Sequence, residues 1–268
     1  ETTVEAVTSQ YISSLLINAP LADGDTVLHV PLLNEKPYVV MTLDWLRRQG
    51  IKAEYSDDLS EFRIPGGQEY LPVERPIPSD FSSATFFLAA GALLGNRVRC
   101  AGLDMTDTQG DKAVVDYLRA MNAVIEIEED AISVQGGSLR GCEIDMNATP
   151  DALPMMAVLA CFAEGTTRLV NVPQARLKET DRIRVMRTEL EKMGARITEL
   201  PDGLIIEGSE LHAADVEGHD DHRVIMALSV AGTGVGGRMR VCGADAVEVT
   251  YPGFAEDLRN LGGNLVSA

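Results

Sequence analysis

The segment LKETDRIR, residues 177–184, follows a strand-like apolar run and opens an amphipathic helical run. Its charges therefore fall at a junction between a strand and a helix. The first amides of a helix lack intrahelical partners and the helix dipole is positive there, so such a junction attracts anions. If the helix reaches back to Lys178, that side chain and Arg182 share one face, with Glu179 beside them. The segment can then hold an oxyanion and move a proton, although a solvated helix start with ordinary ion pairs explains the same residues.

Four related stretches follow each other along the chain. In each, an apolar helical run comes after small or acidic residues, and the markers lie roughly 70 residues apart, as in an internal repeat; they are Ser9, Ser83, Asp151 and Asp221. In each stretch a leucine also precedes, by four residues, a glycine or asparagine, the residue types that adopt the left-handed conformation at a helix end. These pairs are Leu46 and Gly50, Leu118 and Asn122, Leu190 and Gly194, and Leu258 and Gly262.

The repeated unit predicted from these patterns is an apolar helix, a strand, an amphipathic helix and two strands. The apolar helix is hydrophobic nearly all round, so we expect it in the interior, with the amphipathic helix and the strands outside. Parallel packing of the apolar helices would bring their N-termini to one side. Helix capping explains the Ser, Thr and Asp residues there. It does not explain Arg223, because a cation beside a positive helix end is unfavourable unless an anion binds it.

Length and composition limit the classes of protein. A chain of 268 residues predicts about two domains, and three prolines within residues 70–80 indicate a linker, so we place the domains at residues 1–78 and 79–268. The net charge of −18 argues against a nucleic-acid partner. The apolar runs are too short to span a membrane, and the N-terminus lacks the pattern of a signal peptide. Four scattered cysteines indicate reduced thiols, so a cytoplasmic location is expected.

A metal site is the competing interpretation of the segment before the last apolar helix. His219 and His222 flank two aspartates there, and imidazole and carboxylate groups are common metal ligands. Side chains so close together at a helix start diverge in direction, and no further ligand stands out in the sequence. No metal site is predicted.

Eight short stretches, in this order along essentially the whole chain, resemble the enolpyruvyl transferase family. They are Thr8-Ser9-Gln10, Lys36-Pro37-Tyr38 with Thr42-Leu43, residues 80–90 (DFSSATFFLAA), Gln109-Gly110-Asp111, Asp145-Met146-Asn147 with Pro150-Asp151-Ala152, residues 178–182 (KETDR), Asp221-His222-Arg223, and Thr250-Tyr251-Pro252. Each stretch is a weak signal alone, but eight in order are specific. The chain resembles the C-terminal part of the family's proteins: the last repeat of the first domain, then the second domain.

The resemblance implies an α/β (α+β) fold of repeated βαβαββ units, with buried parallel helices and outer sheets. It also implies a substrate cleft between two domains. The implied reaction transfers the enolpyruvyl group of phosphoenolpyruvate to the 5-hydroxyl of shikimate 3-phosphate and releases phosphate, in the pathway to chorismate and the aromatic amino acids. No metal or organic cofactor is implied. The two substrates are the implied partners, together with the N-terminal portion that family members carry.

The same resemblance implies that residues near the start of the chain, together with Gln174, would bind shikimate 3-phosphate. Its phosphate and ring would be held by Thr8, Ser9 and Gln10, with Tyr38 nearby. Gln174 would also contact the substrate, although many family members have Asn there. These positions carry hydroxyl, amide and phenol groups, which suit a phosphorylated polyol.

The catalytic residues implied by the resemblance lie further along the chain. Asp151 and Lys178 would contact the ring hydroxyls, and Asp151 would be the base for the attacking hydroxyl. Glu179 would protonate the methylene carbon of phosphoenolpyruvate, with His222 close to the same site. The carboxylate and phosphate of phosphoenolpyruvate would be gripped by two arginines, Arg182 and Arg223. Arginine forks suit such anions, and positioned carboxylates suit acid–base steps.

Three positions depart from the family pattern. Glu35 stands where family members usually have Ser, and a carboxylate there would repel a phosphate; Gln174 is a milder change, and Val249 replaces a Lys found in some members. Because the chain lacks the stretch that carries further phosphate-clamping residues in the family, we expect it to be inactive or very weak alone. The alternative is a non-catalytic structural or regulatory half of a split enolpyruvyl transferase. A large exposed apolar face on residues 8–68 would favour that alternative.

Overall fold

The computed structural model describes residues 1–266 and divides the chain into two compact units. The first unit contains Glu1–Pro78 and Thr106–Gly110; the second contains Ser79–Met105 and the chain from Asp111 onward. Each unit has its own hydrophobic core, formed by residues between Ala6 and Ile64 in the first and between Phe81 and Leu258 in the second. No helix within residues 1–266 is both long and apolar enough to cross a membrane.

The first unit is one complete βαβαββ repeat. Its elements are β1 (Thr2–Ala6), α1 (Ser9–Asn18), a 3-10 turn (Ala19–Leu21), β2 (Thr26–Leu33), α2 (Lys36–Arg48), β3 (Glu54–Tyr55) and β4 (Glu61–Ile64). The strands form one sheet in the order β1-β2-β4-β3. β1 and β2 are parallel, as a βαβ connection requires, whereas the other pairs are antiparallel.

The second unit continues this order of elements, except that its first part begins with a helix and its last part has two short helices after its second strand. Its first part comprises α3 (Phe81–Leu94), β5 (Val98–Ala101), a 3-10 turn (Gly110–Ala113), α4 (Val114–Ala120), β6 (Val124–Ile127) and β7 (Ala131–Gln135). Next come β8 (Glu143–Asp145), a 3-10 turn (Pro150–Ala152), α5 (Leu153–Phe162), β9 (Thr166–Val170), a 3-10 turn (Pro173–Leu177), α6 (Arg182–Lys192), β10 (Arg196–Leu200) and β11 (Gly203–Glu207). The last part contains β12 (Asp215–Glu217), α7 (His222–Thr233), β13 (Arg240–Cys242), a 3-10 turn (Ala244–Ala246), α8 (Val247–Thr250) and α9 (Phe254–Asn260).

Three sheets accompany the helices of the second unit, in the orders β5-β7-β6, β10-β11-β9-β8 and β12-β13. β8 pairs parallel with β9, and β12 with β13, as β1 does with β2. The hydrophobic patterns predict each repeat without this leading strand, because β8 and β12 each carry a single apolar residue between two acidic ones and so show no period. The α/β class and the repeat are confirmed.

The predicted ends of the amphipathic helices are also confirmed. All four glycine or asparagine positions that follow a leucine by four residues have a left-handed backbone. Their φ values are +79° at Gly50, +72° at Asn122, +95° at Gly194 and +101° at Gly262. Because glycine and asparagine adopt this conformation at little steric cost, the chain can leave each helix and turn into the next strand.

The apolar helices of the second unit are interior, as predicted. Every residue of α5 from Leu153 to Cys161 is buried, and most residues of α3 and α7 are buried as well. The prediction is wrong for α1, which buries only Ser9, Ile12 and Leu16 and leaves Tyr11 and Ile17 about half exposed. Within the first unit α1 packs mainly against α2 and β1. A single repeat supplies no second apolar helix to cover its other face.

Candidate functional site

The N-termini of the three apolar helices of the second unit lie together. Asp80 caps α3 by accepting hydrogen bonds from two backbone amides, and Asp221 caps α7 in the same way. The Arg223 side chain at the start of α7 donates a 2.6 Å hydrogen bond to Ser82 Oγ of α3, and its Nη2 lies 3.2 Å from Asp151 Oδ2 before α5. These contacts confirm, for α3, α5 and α7, the predicted convergence of helix N-termini.

The helix does not reach back to Lys178, so Lys178 and Arg182 do not share a helix face. α6 begins at Arg182, and Asp181 caps it by accepting a 3.1 Å hydrogen bond from the Arg184 amide. Lys178 follows a 3-10 turn and has an extended backbone, with φ −84° and ψ −156°. Its ammonium nevertheless lies 4.0 Å from Asp151 Oδ1, because the loop, rather than a shared helix face, directs it there.

A fully buried arginine connects these elements. The Arg182 guanidinium donates hydrogen bonds of 2.8 Å and 3.3 Å to Asp221, 2.6 Å to Asp151 and 2.6 Å to Glu179. Burial by itself lowers the pKa of Arg182, but the surrounding carboxylates outweigh it and raise the pKa. The arginine therefore stays charged. We call this set of side chains the ionic cluster: Asp151, Lys178, Glu179, Arg182, Asp221 and Arg223.

Asp151 is the carboxylate that receives the most positive charge in the cluster. Burial by itself raises the pKa of Asp151, but the charges of Arg223, Arg182 and Lys178 outweigh it and lower the pKa to about 2. Capping does not explain this residue, because α5 begins after Ala152 and has no side-chain cap. The structure therefore favours a role in charge arrangement over the simpler interpretation of Asp151 as a helix cap.

The low pKa of Asp151 predicts a loss of stability in acid. A carboxyl whose pKa falls on folding, from 3.8 to about 2, contributes stability that is present above pH 4 and is lost as the pH falls toward 2. The shift corresponds to about 2 kcal/mol. We expect the difference in unfolding free energy between the wild type and Asp151→Asn to shrink by that amount between pH 5 and pH 2.

Urea unfolding followed by far-ultraviolet circular dichroism measures this difference at each pH. Asp116→Asn is the control, because Asp116 is 70% exposed and pairs only with Arg119 three residues away, an interaction worth less than about 1 kcal/mol. A difference for Asp151→Asn that stays constant from pH 5 to pH 2 would contradict the prediction.

His222 is partly buried, whereas Glu179 is exposed. Burial and the neighbouring Arg223 lower the pKa of His222, and this favours the neutral imidazole near pH 7. Glu179 binds Arg182 but keeps 46% of its side chain exposed. The site thus offers the neutral imidazole of His222 and, within the ionic cluster, a partly exposed carboxylate beside fixed cations.

Two members of this arrangement were not among the predicted site residues. Asp221 accepts hydrogen bonds both from Arg182 and from the amides that begin α7. Ser82 binds Arg223. Their sequence signals are their positions at the starts of apolar helices in the repeat and in two of the stretches that resemble the family.

The remaining predicted residue of the second unit is Gln174. It lies in the 3-10 turn before Lys178, is buried, and donates a 2.9 Å hydrogen bond to the Asn147 carbonyl. Its side-chain oxygen accepts no hydrogen bond from any residue in the described range 1–266. The two histidines of the competing metal interpretation have different surroundings. His219 binds the buried carboxylate of Glu189, whereas His222 lies near the charge of Arg223.

The other predicted residues lie in the first unit. Ser9 is buried, Gln10 is exposed, and the Tyr38 amide donates to the carbonyl of Glu35 in the first turn of α2. Thr8 and Ser9 hydrogen-bond to the Glu35 carboxylate. The structure thus groups Thr8 and Ser9 around an acidic side chain of the same unit.

The fold and the site define an α/β protein of repeated units, in which buried helices start at a cluster of ionic side chains. The family model for EPSP synthase (3-phosphoshikimate 1-carboxyvinyltransferase) matches residues 3–258. Relatives named 3-phosphoshikimate 1-carboxyvinyltransferase include that of Ruminiclostridium cellulolyticum, 55% identical over 264 residues, and that of Acetivibrio thermocellus, 52% identical over 264 residues. The chain belongs to the EPSP synthase family.

Solved structures agree with this assignment. The EPSP synthase from Acinetobacter baumannii superposes with a TM-score of 0.82 at 25% identity, covering 100% of this chain and 63% of that chain. The matches to the two bacterial relatives cover 98% of this chain and 62% of each relative. The chain thus spans less than two thirds of the length of these proteins.

Proposed function

We propose that this chain provides the enolpyruvyl-transfer site of an EPSP synthase, which joins phosphoenolpyruvate to the 5-hydroxyl of shikimate 3-phosphate and releases phosphate. The ionic cluster is the observation that carries the proposal. Three helix N-termini meet there, and three cations balance three carboxylates in a largely buried setting. Such a site suits polyanionic substrates, because the cations are held in place before the ligand arrives.

In this proposal Lys178 and Arg223 contact the substrates directly, whereas Arg182 contributes its positive charge without contacting them. The side chains of Lys178 and Arg223 keep 13% and 16% of their surface exposed, whereas the Arg182 side chain is fully buried. Direct binding of phosphoenolpyruvate by Arg182, as the family resemblance implies, requires Glu179 or Asp151 to release it. Arg182 also fixes the positions of both carboxylates.

Asp151 is proposed to accept the proton of the attacking hydroxyl. A carboxylate with a pKa near 2 is ionised at neutral pH and is a weak base toward a free alcohol. The hydroxyl becomes acidic as its oxygen bonds to the enol carbon, so transfer to Asp151 is favourable at that stage. A weak base that is always ionised also remains ready to accept the hydrogen bond that orients the hydroxyl.

Glu179 is proposed to deliver a proton to the methylene carbon, with His222 close to the same site, since the charge of Glu179 acts on the pKa of His222. Glu179 is the cluster's most exposed carboxylate and so is the most accessible to substrate. Addition gives a tetrahedral ketal that carries a methyl group. Glu179 is proposed to take a proton back from this methyl group as phosphate leaves with the proton held by Asp151, and the enol ether forms. The residues in the first unit, Thr8, Ser9, Gln10 and Tyr38, are proposed to bind the phosphate and ring of shikimate 3-phosphate, with Gln174 as a further hydrogen-bonding group.

Calorimetric titration of the purified chain with shikimate 3-phosphate tests the proposal. Lys178→Ala is expected to weaken binding by about ten- to a hundredfold, because it removes a charge-assisted contact. Lys52→Ala, which alters an exposed lysine of the first unit, is the matched control and is expected to leave the affinity unchanged. Equal affinity for the wild type and Lys178→Ala, or the absence of heat at millimolar ligand, would overturn the proposal.

A second candidate is a non-catalytic half of a split enolpyruvyl transferase, whose partner would be the N-terminal portion that family members carry. The exposed apolar side chains of the first unit favour it, among them Tyr11, Ile17, Leu21 and Leu71. Release of inorganic phosphate from the two substrates by the purified chain distinguishes the candidates, since turnover would exclude this one. The four free cysteines support the cytoplasm as the proposed compartment for either candidate.

A further inference from the structure

Glu35 is a buried carboxylate with no assigned role in the reaction. It immediately precedes α2, its side chain is 1% exposed, and its backbone is left-handed with φ +57°. Non-glycine residues adopt this conformation infrequently, because the side chain crowds the backbone. The first unit thus holds a charged side chain in an uncommon backbone conformation away from solvent.

The Glu35 carboxylate lies at the N-terminus of α1. One oxygen, Oε2, accepts hydrogen bonds from the Ser9 amide at 3.0 Å, the Ser9 hydroxyl at 2.7 Å and the Thr8 hydroxyl at 3.1 Å. Thr8 occupies the capping position of α1 but makes no side-chain cap. Glu35, more than 20 residues away in sequence, therefore replaces Thr8 as the acceptor at this helix end.

These three donors and the positive helix end form the surroundings that a bound oxyanion needs. A phosphate oxygen placed there would use the Ser9 amide and the same two hydroxyls. It would also lie against the negative charge of Glu35. The two anions compete for one position, so binding of the phosphate requires the carboxylate to leave.

We propose that Glu35 is an internal occupant of the anion position at the start of α1, and that it lowers the affinity of Thr8 and Ser9 for phosphate groups. The inference rests on the proposed function only in taking the phosphate of shikimate 3-phosphate as the natural competitor. It makes Glu35 a specificity-determining residue. Binding of a phosphate group by Thr8 and Ser9 then includes the displacement of the Glu35 side chain.

Titration with inorganic phosphate, read by the nitrogen-15 amide signals of Ser9 and Gln10, tests the inference in the full chain. Glu35→Ser removes the occupant, and we expect it to bind phosphate about tenfold or more tightly than the wild type at these amides. Glu35→Gln keeps the side-chain length but removes the charge, so an intermediate affinity is expected. Glu5→Gln, which removes an exposed carboxylate from β1, is the control and should match the wild type.

The fluorescence of Trp45 in α2, the chain's single tryptophan, checks that each variant folds in the first unit. Should Glu35→Ser fail to fold, Glu35→Gln alone decides, and an affinity for phosphate equal to that of the wild type would overturn the inference. Ser9 and Gln10 signals that phosphate leaves unchanged in every folded variant would overturn it as well.

Shikimate 3-phosphate separates this inference from the proposed function. If Glu35→Ser binds inorganic phosphate at Ser9 more tightly than the wild type but no variant binds shikimate 3-phosphate, the internal occupant is supported and the proposed function fails. If the wild type and Glu35→Ser bind shikimate 3-phosphate equally, and Lys178→Ala weakens both, the proposed function is supported and the inference is overturned.

Discussion

Replacing Arg182 with alanine is expected to lower the free energy of unfolding of the second unit by about 3–5 kcal/mol. The guanidinium is fully buried and pairs with Asp221, itself fully buried, and with Asp151. Removing it leaves Asp221 buried without the cation that it pairs with, and takes from Asp151 one of its three neighbouring cations. The cost of an uncompensated buried charge is much larger than that of losing a surface ion pair.

Arg187→Ala is the matched control, because Arg187 lies on the same helix, is 41% exposed, and makes ion pairs of 3.2 Å and 3.4 Å. Its expected effect is below about 1 kcal/mol. Urea unfolding followed by circular dichroism measures both variants, while Trp45 fluorescence monitors the first unit, where no change is expected. Equal losses of unfolding free energy for Arg182→Ala and Arg187→Ala would contradict the prediction that burial makes the loss of Arg182 more costly.

Asp221→Asn is expected to destabilise the second unit by about 3 kcal/mol. Asparagine keeps one oxygen that can cap α7, but it removes the charge opposite Arg182 and brings an NH2 group against donors. Asp221 accepts from the Arg182 side chain and from the amides of Arg223 and Val224, so one neutral oxygen does not replace it. The same urea experiment measures the loss.

Asp80→Asn separates capping from charge pairing. Asp80 caps α3 through the amides of Ser82 and Ser83, as Asp221 caps α7, but it is exposed and its neighbours in the cap are serines. Its replacement by asparagine, an equally good cap, should change stability by less than about 0.5 kcal/mol.

In the double variant Arg182→Ala with Asp221→Asn, the losses should be less than additive, because the two residues stabilise each other. Full additivity would contradict the proposed pairing.

The repeat could be predicted from sequence because its signals are local. Helical periodicity, strand runs and the glycine or asparagine after each amphipathic helix depend on neighbouring residues. The structure confirms all four helix ends and the interior position of α3, α5 and α7. The leading strands β8 and β12 show no period, because each carries one apolar residue between two acidic ones. The burial of α1 was predicted wrongly, because burial depends on what packs against a helix rather than on the helix itself.

The candidate site could be predicted only in part. Residues at helix starts could be selected, and a cation at such a start indicated an anion site, as with Arg223. Whether α6 reaches back to Lys178 could not be predicted, because a single capping residue, Asp181, decides where the helix begins. The complete burial of Arg182 and the second contact of Asp221 had no sequence signal, since these residues are 39 positions apart.

The sequence by itself determined the α/β repeat and, through the family resemblance, the residues around which a reaction can be proposed. Only the tertiary structure decided how their charges are arranged: Arg182 is enclosed by three carboxylates, Asp151 faces three cations, and Glu35 occupies the start of α1. The reason is physical. Secondary structure follows local periodicity, whereas the ionisation and partners of a buried group depend on contacts such as that between Arg223 and Ser82, which are 141 positions apart.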